Sequence, residues 1–412
     1  MNCRVETKMD AFIFDLLPYA ENIERFREGG VIPRLTKRYF NPEIAVRTYE
    51  EHLSAWAEAE TLGFDGIAVN EHHGTPYGLM NSPNLLVASI AQRTKRMKIL
   101  TYGNLLPIHE PLRLAEELAM LDCLSNGRLI AGVARGAPRE YRFYNIAMAE
   151  SRARFEECFE VMRKAWTQES FSHEGEFFSY KDVAIWPRPV QRPYPQVWLR
   201  VTGSKESIEW AAKWNVPITP GSSVSGGEAK GDARRDIIRY YAECQAREGR
   251  RVTPDHFVMP MDCYIADSKA QAIDEYAPYV EYWYNTLYHF DHVTRDRIEK
   301  GYYSDQSTAY MRNRSKTAVA NDTAFEATMN HERIVAQAEN SAWGTADEIV
   351  ERVIGAAEHC GASTVLISCN RGAMPQEMFL NQIRRLGKEV LPRLQGHNIS
   401  GVKFADDISP LP

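Results

Sequence analysis

The chain has 412 residues, of which 44% are hydrophobic and 25% charged, with a formal net charge of -6. That balance supplies apolar side chains for a sizeable core and excludes disordered and fibrous classes. The negative charge disfavours a nucleic-acid or anionic-membrane partner, because phosphate binding draws on a surplus of Lys and Arg. The longest apolar stretches, such as residues 85–91, fall far short of the roughly 20 residues that span a bilayer. Residues 1–10 are polar and of mixed charge, unlike a secretory signal. The 7 cysteines include no C-x-x-C pair. The expectation is a cytoplasmic protein acting on a small molecule, with no membrane or nucleic-acid partner and no metal.

Short β-rich runs alternate with amphipathic helical stretches, the pattern of parallel strands joined by crossover helices. The first four strands are predicted at 11–18, 64–70, 97–106 and 128–135. A helix over 153–168 then places Phe155, Cys158, Phe159, Met162 and Trp166 on one apolar stripe. Residues 171–195, rich in aromatics and prolines, read as a hairpin and an extended segment before a fifth strand at 196–202. The sixth and seventh strands are predicted at 216–220 and 257–266. Residues 285–342 are polar and charge-dense and read as an insertion, either a mobile lid or a surface embellishment. Thr345-Ala346-Asp347-Glu348 forms a capping box for a helix that stops at Gly361, and the last strand follows at 363–368. Eight alternations favour one α/β domain over 1–412, a (β/α)8 TIM-like barrel with insertions, although periodicity alone leaves an open doubly wound sheet possible.

Barrel active sites form at the C-terminal ends of the strands. The second strand ends in Asn70-Glu71-His72-His73. Neighbouring strand side chains point to opposite faces, so the two histidines do not serve one metal; one of them is an acid, a base or a donor, or both are solvated loop residues. The third strand carries Tyr102-Gly103-Asn104, where Gly103 either lets a planar ligand approach or relieves a barrel bend. The fourth ends in Arg135-Gly136-Ala137, with Arg135 placed for a phosphate or for a structural salt bridge. After the fifth, Gly203-Ser204-Lys205-Glu206-Ser207 opens a helix, and free amides with hydroxyls at a helix N-terminus suit a phosphate better than simple capping explains. No G-x-S-x-G, H-E-x-x-H, Walker loop or strand-linked G-x-G-x-x-G occurs, so the chain shows no NAD(P)H-binding domain of its own.

The series Gly63-Phe64-Asp65-Gly66 through Asn70-Glu71-His72-His73, Leu106-Pro107 through His109-Glu110-Pro111, Ser125-Asn126-Gly127-Arg128, Gly132-Val133-Ala134-Arg135-Gly136 and Trp343-Gly344-Thr345 resembles bacterial luciferase and its relatives over nearly the whole chain. The resemblance implies a barrel, commonly a homodimer, that binds reduced FMN delivered by a separate NAD(P)H:flavin reductase. It further implies that O2 adds at flavin C4a to give the peroxyflavin that oxidises a small organic substrate. It makes His72 the catalytic histidine and Glu71 its flavin-side neighbour. Arg135 and Arg152 become phosphate-binding arginines, and Ser204 and Ser207 phosphate-contacting hydroxyls. Tyr102-Gly103 falls where a cis peptide meets the flavin, with Asn104, Ala137 and Gly203 also facing the cofactor. Two departures stand out: Ala134 replaces a reactive cysteine and Gly203 a glutamate. They point to a dark monooxygenase. An F420-dependent oxidoreductase and a non-catalytic flavin-binding protein remain the alternatives.

Overall fold

A computed structural model describes residues 6–19, 40–74, 76, 78–136, 138–221, 231–284, 304, 305, 307, 331–339, 341–372 and 374–401. Eight strands line its centre: β1 (Asp10–Asp15), β2 (Gly66–Val69), β3 (Lys98–Leu105), β4 (Leu129–Ala134), β5 (Gln196–Val201), β6 (Ile218–Pro220), β7 (Val258–Ile265) and β8 (Thr364–Ser368). They pair in parallel from β1 to β6, and β8 lies between β7 and β1. A bridge between Ile218 and Phe257 brings β6 to the start of β7, so the curled sheet returns on itself. Parallel neighbours require crossovers, and helices Pro42–Thr61, Pro83–Arg93 and Pro111–Leu124 supply the first three. Each opens on a proline, whose fixed φ suits the first turn and whose missing N–H has no intrahelical partner to lose.

The interior is filled by inward residues of facing strands. Phe12 of β1 stacks on Trp198 of β5 with ring centroids 6.0 Å apart, and Phe14 meets the Tyr102 ring of β3 edge-on at 5.1 Å. At the same level β3 kinks: its register against β4 shifts between Thr101 and Asn104, and the Tyr102–Gly103 peptide is cis. The kink brings two backbones together. A Cβ on Gly132 would lie 1.7 Å from the Thr101 carbonyl oxygen, and one on Gly103 would lie 2.6 Å from the Gly132 carbonyl carbon. Gly103 is therefore demanded by strand packing, the second of its two sequence readings.

The helix Ser151–Thr167 buries the predicted stripe, and Phe155 and Phe159 both meet Trp210 edge-on at 4.8 Å. This contact docks it on the helix Lys205–Lys213 and sets the first turn of one beside the start of the other. The predicted hairpin forms from Phe171–Glu174 and Ser179–Val183, paired antiparallel. The Thr345–Glu348 capping box is present, and Gly361 ends that helix at φ 61°. A short strand, Ala342–Gly344, pairs with the end of β7 where sequence reading ends the insertion; three residues are too few to show an alternation. Most of 285–342, and with it the lid reading, lies outside the described residues. Among the described residues no helix is long and apolar enough to cross a membrane.

Candidate active site

In the loop just beyond β2 the two adjacent histidines diverge. His72 Nδ1 lies 2.8 Å from Oε1 of Glu140, a fully buried carboxylate on the helix Pro138–Phe143. The Asn81 side chain donates to the His72 carbonyl at 3.0 Å, holding the loop. His73 turns the other way, with Nε2 3.0 Å from Glu71 and Nδ1 3.1 Å from the Tyr144 hydroxyl. Among the described residues no group of three or more His, Cys, Asp or Glu side chains is arranged to hold a metal ion.

Glu71 is buried, and its carboxylate is saturated by protein donors: the Leu105 amide at 2.8 Å, His73 at 3.0 Å and His109 at 3.0 Å. Burial by itself raises its pKa, but the bonds from His109 and His73, the charge of His109 and the Leu105 amide outweigh it and hold the carboxyl at about 2. His109 answers in kind. Burial lowers its pKa, and the bond and charge of Glu71 more than reverse this, leaving it above the ordinary imidazole value. Glu71 thus ties the end of β2 to the end of β3, and its oxygens face protein donors. His109 entered the sequence reading only as part of a motif, and Glu140 did not enter it at all.

Across the mouth, β5 runs into Gly203 at φ 134° and then Ser204, the N-cap of the helix Lys205–Lys213. The docked first turn of the helix Ser151–Thr167 brings Arg152 here, donating from Nη2 to Ser204 Oγ at 3.0 Å and Ser207 Oγ at 2.7 Å. Three residues of the sequence reading therefore meet. The structure adds a fourth, Glu206, which accepts from Ser204 at 2.8 Å and from the hydroxyls of Ser304 and Ser307, while Ser307 Oγ accepts from the Lys205 amide at 3.0 Å. Burial raises the pKa of Glu206, but these hydroxyls and its own amide hold it at about 2. Arg135 follows β4, two residues beyond Val133, which stands level with Leu199 of β5; Tyr141 donates to its carbonyl. Ala137 lies outside the described residues.

Between these two ends some buried polar atoms are unpaired. Asn104 is fully buried with neither amide nitrogen nor oxygen bonded, and Asn70 Oδ1 is in the same state. Each such group costs about 1–3 kcal/mol, a cost that folded proteins retain where a ligand or ordered water completes the bond.

A parallel barrel whose mouth holds a His–carboxylate couple and a hydroxyl-lined helix start belongs to the cofactor-dependent barrel enzymes. The family model described as luciferase-like monooxygenase matches residues 35–364, and the chain belongs to that family. It is 36% identical over 167 residues to the uncharacterized protein y4wF of Sinorhizobium fredii, an alignment covering 40% of this chain and 48% of that one, about half its length. It is 24% identical over 251 residues to the alkanal monooxygenase alpha chain of Aliivibrio fischeri, covering 60% of this chain and 69% of the relative. Among solved structures, the monooxygenase RslO1 from Streptomyces bottropensis matches with a TM-score of 0.70 at 25% identity, over 93% of this chain and 99% of that one. The chain is a flavin-dependent enzyme of the monooxygenase type, and the flavin its site is compared with is FMN. The residues present fit that group: hydroxyls, an arginine and helix amides for a phosphate, and an unpaired buried amide at Asn104 for the polar edge of a ring.

Proposed function

We propose that this chain oxidises a small organic substrate with O2 at reduced FMN, supplied by a separate NAD(P)H:flavin reductase, and works as a homodimer. In this reading the FMN phosphate is held by Arg135, Arg152, Ser204, Ser207 and the amides around Gly203. The ring is held against Tyr102, Gly103 and Asn104. When bound, reduced FMN supplies the electrons and the site at which O2 reacts. His72 is the acid–base group: Glu140 holds its Nδ1, which orients the ring and assigns proton transfer to Nε2. Glu71 acts one step back, fixing the ends of β2 and β3 on which His72 and Asn104 stand. The barrel wall keeps water from the reacting atoms, which favours product over release of hydrogen peroxide.

The observation that carries the reading is Arg152 over Ser204 and Ser207 at a helix start, an arrangement that anions favour. The test is O2 uptake by the purified chain with reduced FMN, with and without candidate substrates. Uptake matched mole for mole by oxygenated product is the expected result. Substrate-dependent oxidation of reduced F420 without O2 uptake would replace the reading with a hydride-transfer enzyme, and flavin binding with neither activity would leave a binding protein.

A further inference from the structure

Strand β8 enters neither the flavin reading nor the acid–base couple, yet it brings unpaired polar atoms to the mouth. Its register with β1 sets Leu366 level with Phe12, whose ring faces Trp198 across the barrel. Alternation therefore turns Leu366 inward, and then Ser368, the last residue of the strand. Ser368 stands beside Phe14 at the catalytic end, 3% exposed and with Oγ unbonded. Asn370, two residues on, is 2% exposed, and its Oδ1 is unbonded as well. The charges nearest to them are already matched. Asp262, level with Ser368 on β7, accepts from the Tyr276 hydroxyl at 3.0 Å and from Nε of Arg371 at 3.3 Å. The Arg371 guanidinium also lies 4.8 Å from the centroid of the Trp283 ring. A ligand here meets two neutral oxygens beside a neutralised ion pair, so a buried charge on it would find no counter-charge.

The chemistry of the two atoms narrows the ligand. Asn370 Oδ1 only accepts, whereas Ser368 Oγ both donates and accepts. A hydroxyl satisfies both, giving its proton to Asn370 and accepting from Ser368. An ether leaves Asn370 unpaired, and a carboxylate sets oxygen against oxygen there. Two residues of chain span at most about 7 Å, so one oxygen making two bonds of about 2.8 Å each reaches both. Position separates this ligand from the flavin. Around the wall β8 is three strands from β3 by way of β1 and β2, and three from β5 by way of β7 and β6, the two strands that the flavin reading uses. His72 follows β2, on the arc between β3 and β8. We propose that the substrate is a neutral molecule bearing a hydroxyl, which Ser368 and Asn370 hold while its reacting atom lies toward His72, an inference that rests on the barrel mouth being the flavin-dependent site.

The test is titration of the FMN-loaded protein and of the apoprotein with benzyl alcohol, cyclohexanol and 1-hexanol, followed by ligand-observed NMR. Each alcohol is set against its methyl ether, and the first also against benzoate. The alcohols are expected to bind at least roughly 10-fold more tightly than the ethers, the worth of two neutral hydrogen bonds, and benzyl alcohol more tightly than benzoate. Ser368→Ala and Asn370→Leu should each cut the alcohol-to-ether ratio by roughly 3-fold or more. A general loosening of the barrel would weaken both ligands together and leave the ratio alone. Asn370→Asp, which keeps an acceptor, should retain the preference, and Ser368→Ala carries the test if the Asn370 variants do not fold. Affinity for FMN should not change in any of them. Alcohols that fail to bind, or that bind no better than their ethers, overturn the proposal, because ordered water then completes the two oxygens. So do a ratio unmoved by both variants, tighter binding of benzoate, and loss of FMN affinity with the ratio intact, which would give the end of β8 to the flavin. Failure of the wild-type protein to bind FMN defeats the flavin reading instead, and the apoprotein titrations then decide the hydroxyl seat alone.

Discussion

Two neighbouring groups of buried polar side chains at the catalytic end behave in opposite ways. Around Glu71 every bond is made within the protein: His73, His109 and the Leu105 amide all reach one carboxylate. One residue back along β3, Asn104 is equally buried and has no partner for either amide atom. Burial is the same in both places, so burial does not separate scaffold from binding surface; satisfaction does. A closed network fixes the chain on its own account, whereas an open one stores a cost that a ligand relieves.

Glu71→Gln tests the closed side and has the largest expected effect. The amide keeps the shape, removes the charge that His109 balances and sets an N–H2 group against donors. A loss of about 3–5 kcal/mol is expected, the range for breaking a buried pair, read as a fall in denaturation midpoint. The pH dependence has a definite sign. Glu71 titrates at about 2 in the folded chain against a reference of 4.5, so its contribution is complete above the reference value and is lost as pH falls toward 2. His109 is shifted up from 6.5, so its contribution is complete below that value and fades as pH rises through the folded pKa. Both slopes should flatten in the variant. A change below about 1 kcal/mol would show that the cluster is not the scaffold described.

His72→Ala comes next, because its couple with Glu140 belongs to chemistry in this reading. Product formation should fall by roughly 100-fold, the scale of acid–base assistance, with flavin affinity unchanged. Undiminished coupled turnover would remove His72 from the proposed machinery. Asn104→Leu sharpens the comparison from the open side. Removing an unpaired buried amide should stabilise the ligand-free protein by about 1 kcal/mol and weaken FMN binding by roughly 10-fold. If the ligand-free protein is destabilised instead, ordered water satisfies the amide and Asn104 belongs to the scaffold.

The architecture was largely legible because its signals are local. The fourth strand, predicted at 128–135, forms as Leu129–Ala134, and the Thr345–Glu348 box and the Phe155–Trp166 stripe rest on spacings within one helix. Strand alternation predicts that His72 and His73 diverge; they do, but in the loop beyond β2, where the bonds to Glu140 and Glu71 set their directions. Their carboxylates were not both legible. Glu140 lies 68 residues beyond His72, and a pairing over that distance leaves no periodic trace. Glu206 was read as one letter of a phosphate-binding segment, and only the fold shows its carboxylate turned back onto Ser204.

That carboxylate defines the smallest and most specific effect. Glu206 is an anion beside the proposed phosphate site, and it occupies the Ser204 hydroxyl that a phosphate would use. The site is partly open to solvent, so its repulsion is screened and worth only a fraction of an interior charge. Glu206→Gln should tighten FMN binding by roughly 2–5-fold at low ionic strength, with the gain shrinking as salt is added. Riboflavin, which lacks the phosphate, should bind the variant and the parent alike. The contrast between the two ligands separates electrostatics from a general change in the cradle, because a rearranged helix start would alter both. Weaker FMN binding in the variant would reverse the assignment. Glu206 would then act by holding Ser204, Ser304 and Ser307 in place, and the phosphate end would belong with Glu71 among the closed networks, leaving β3 as the open side of the mouth.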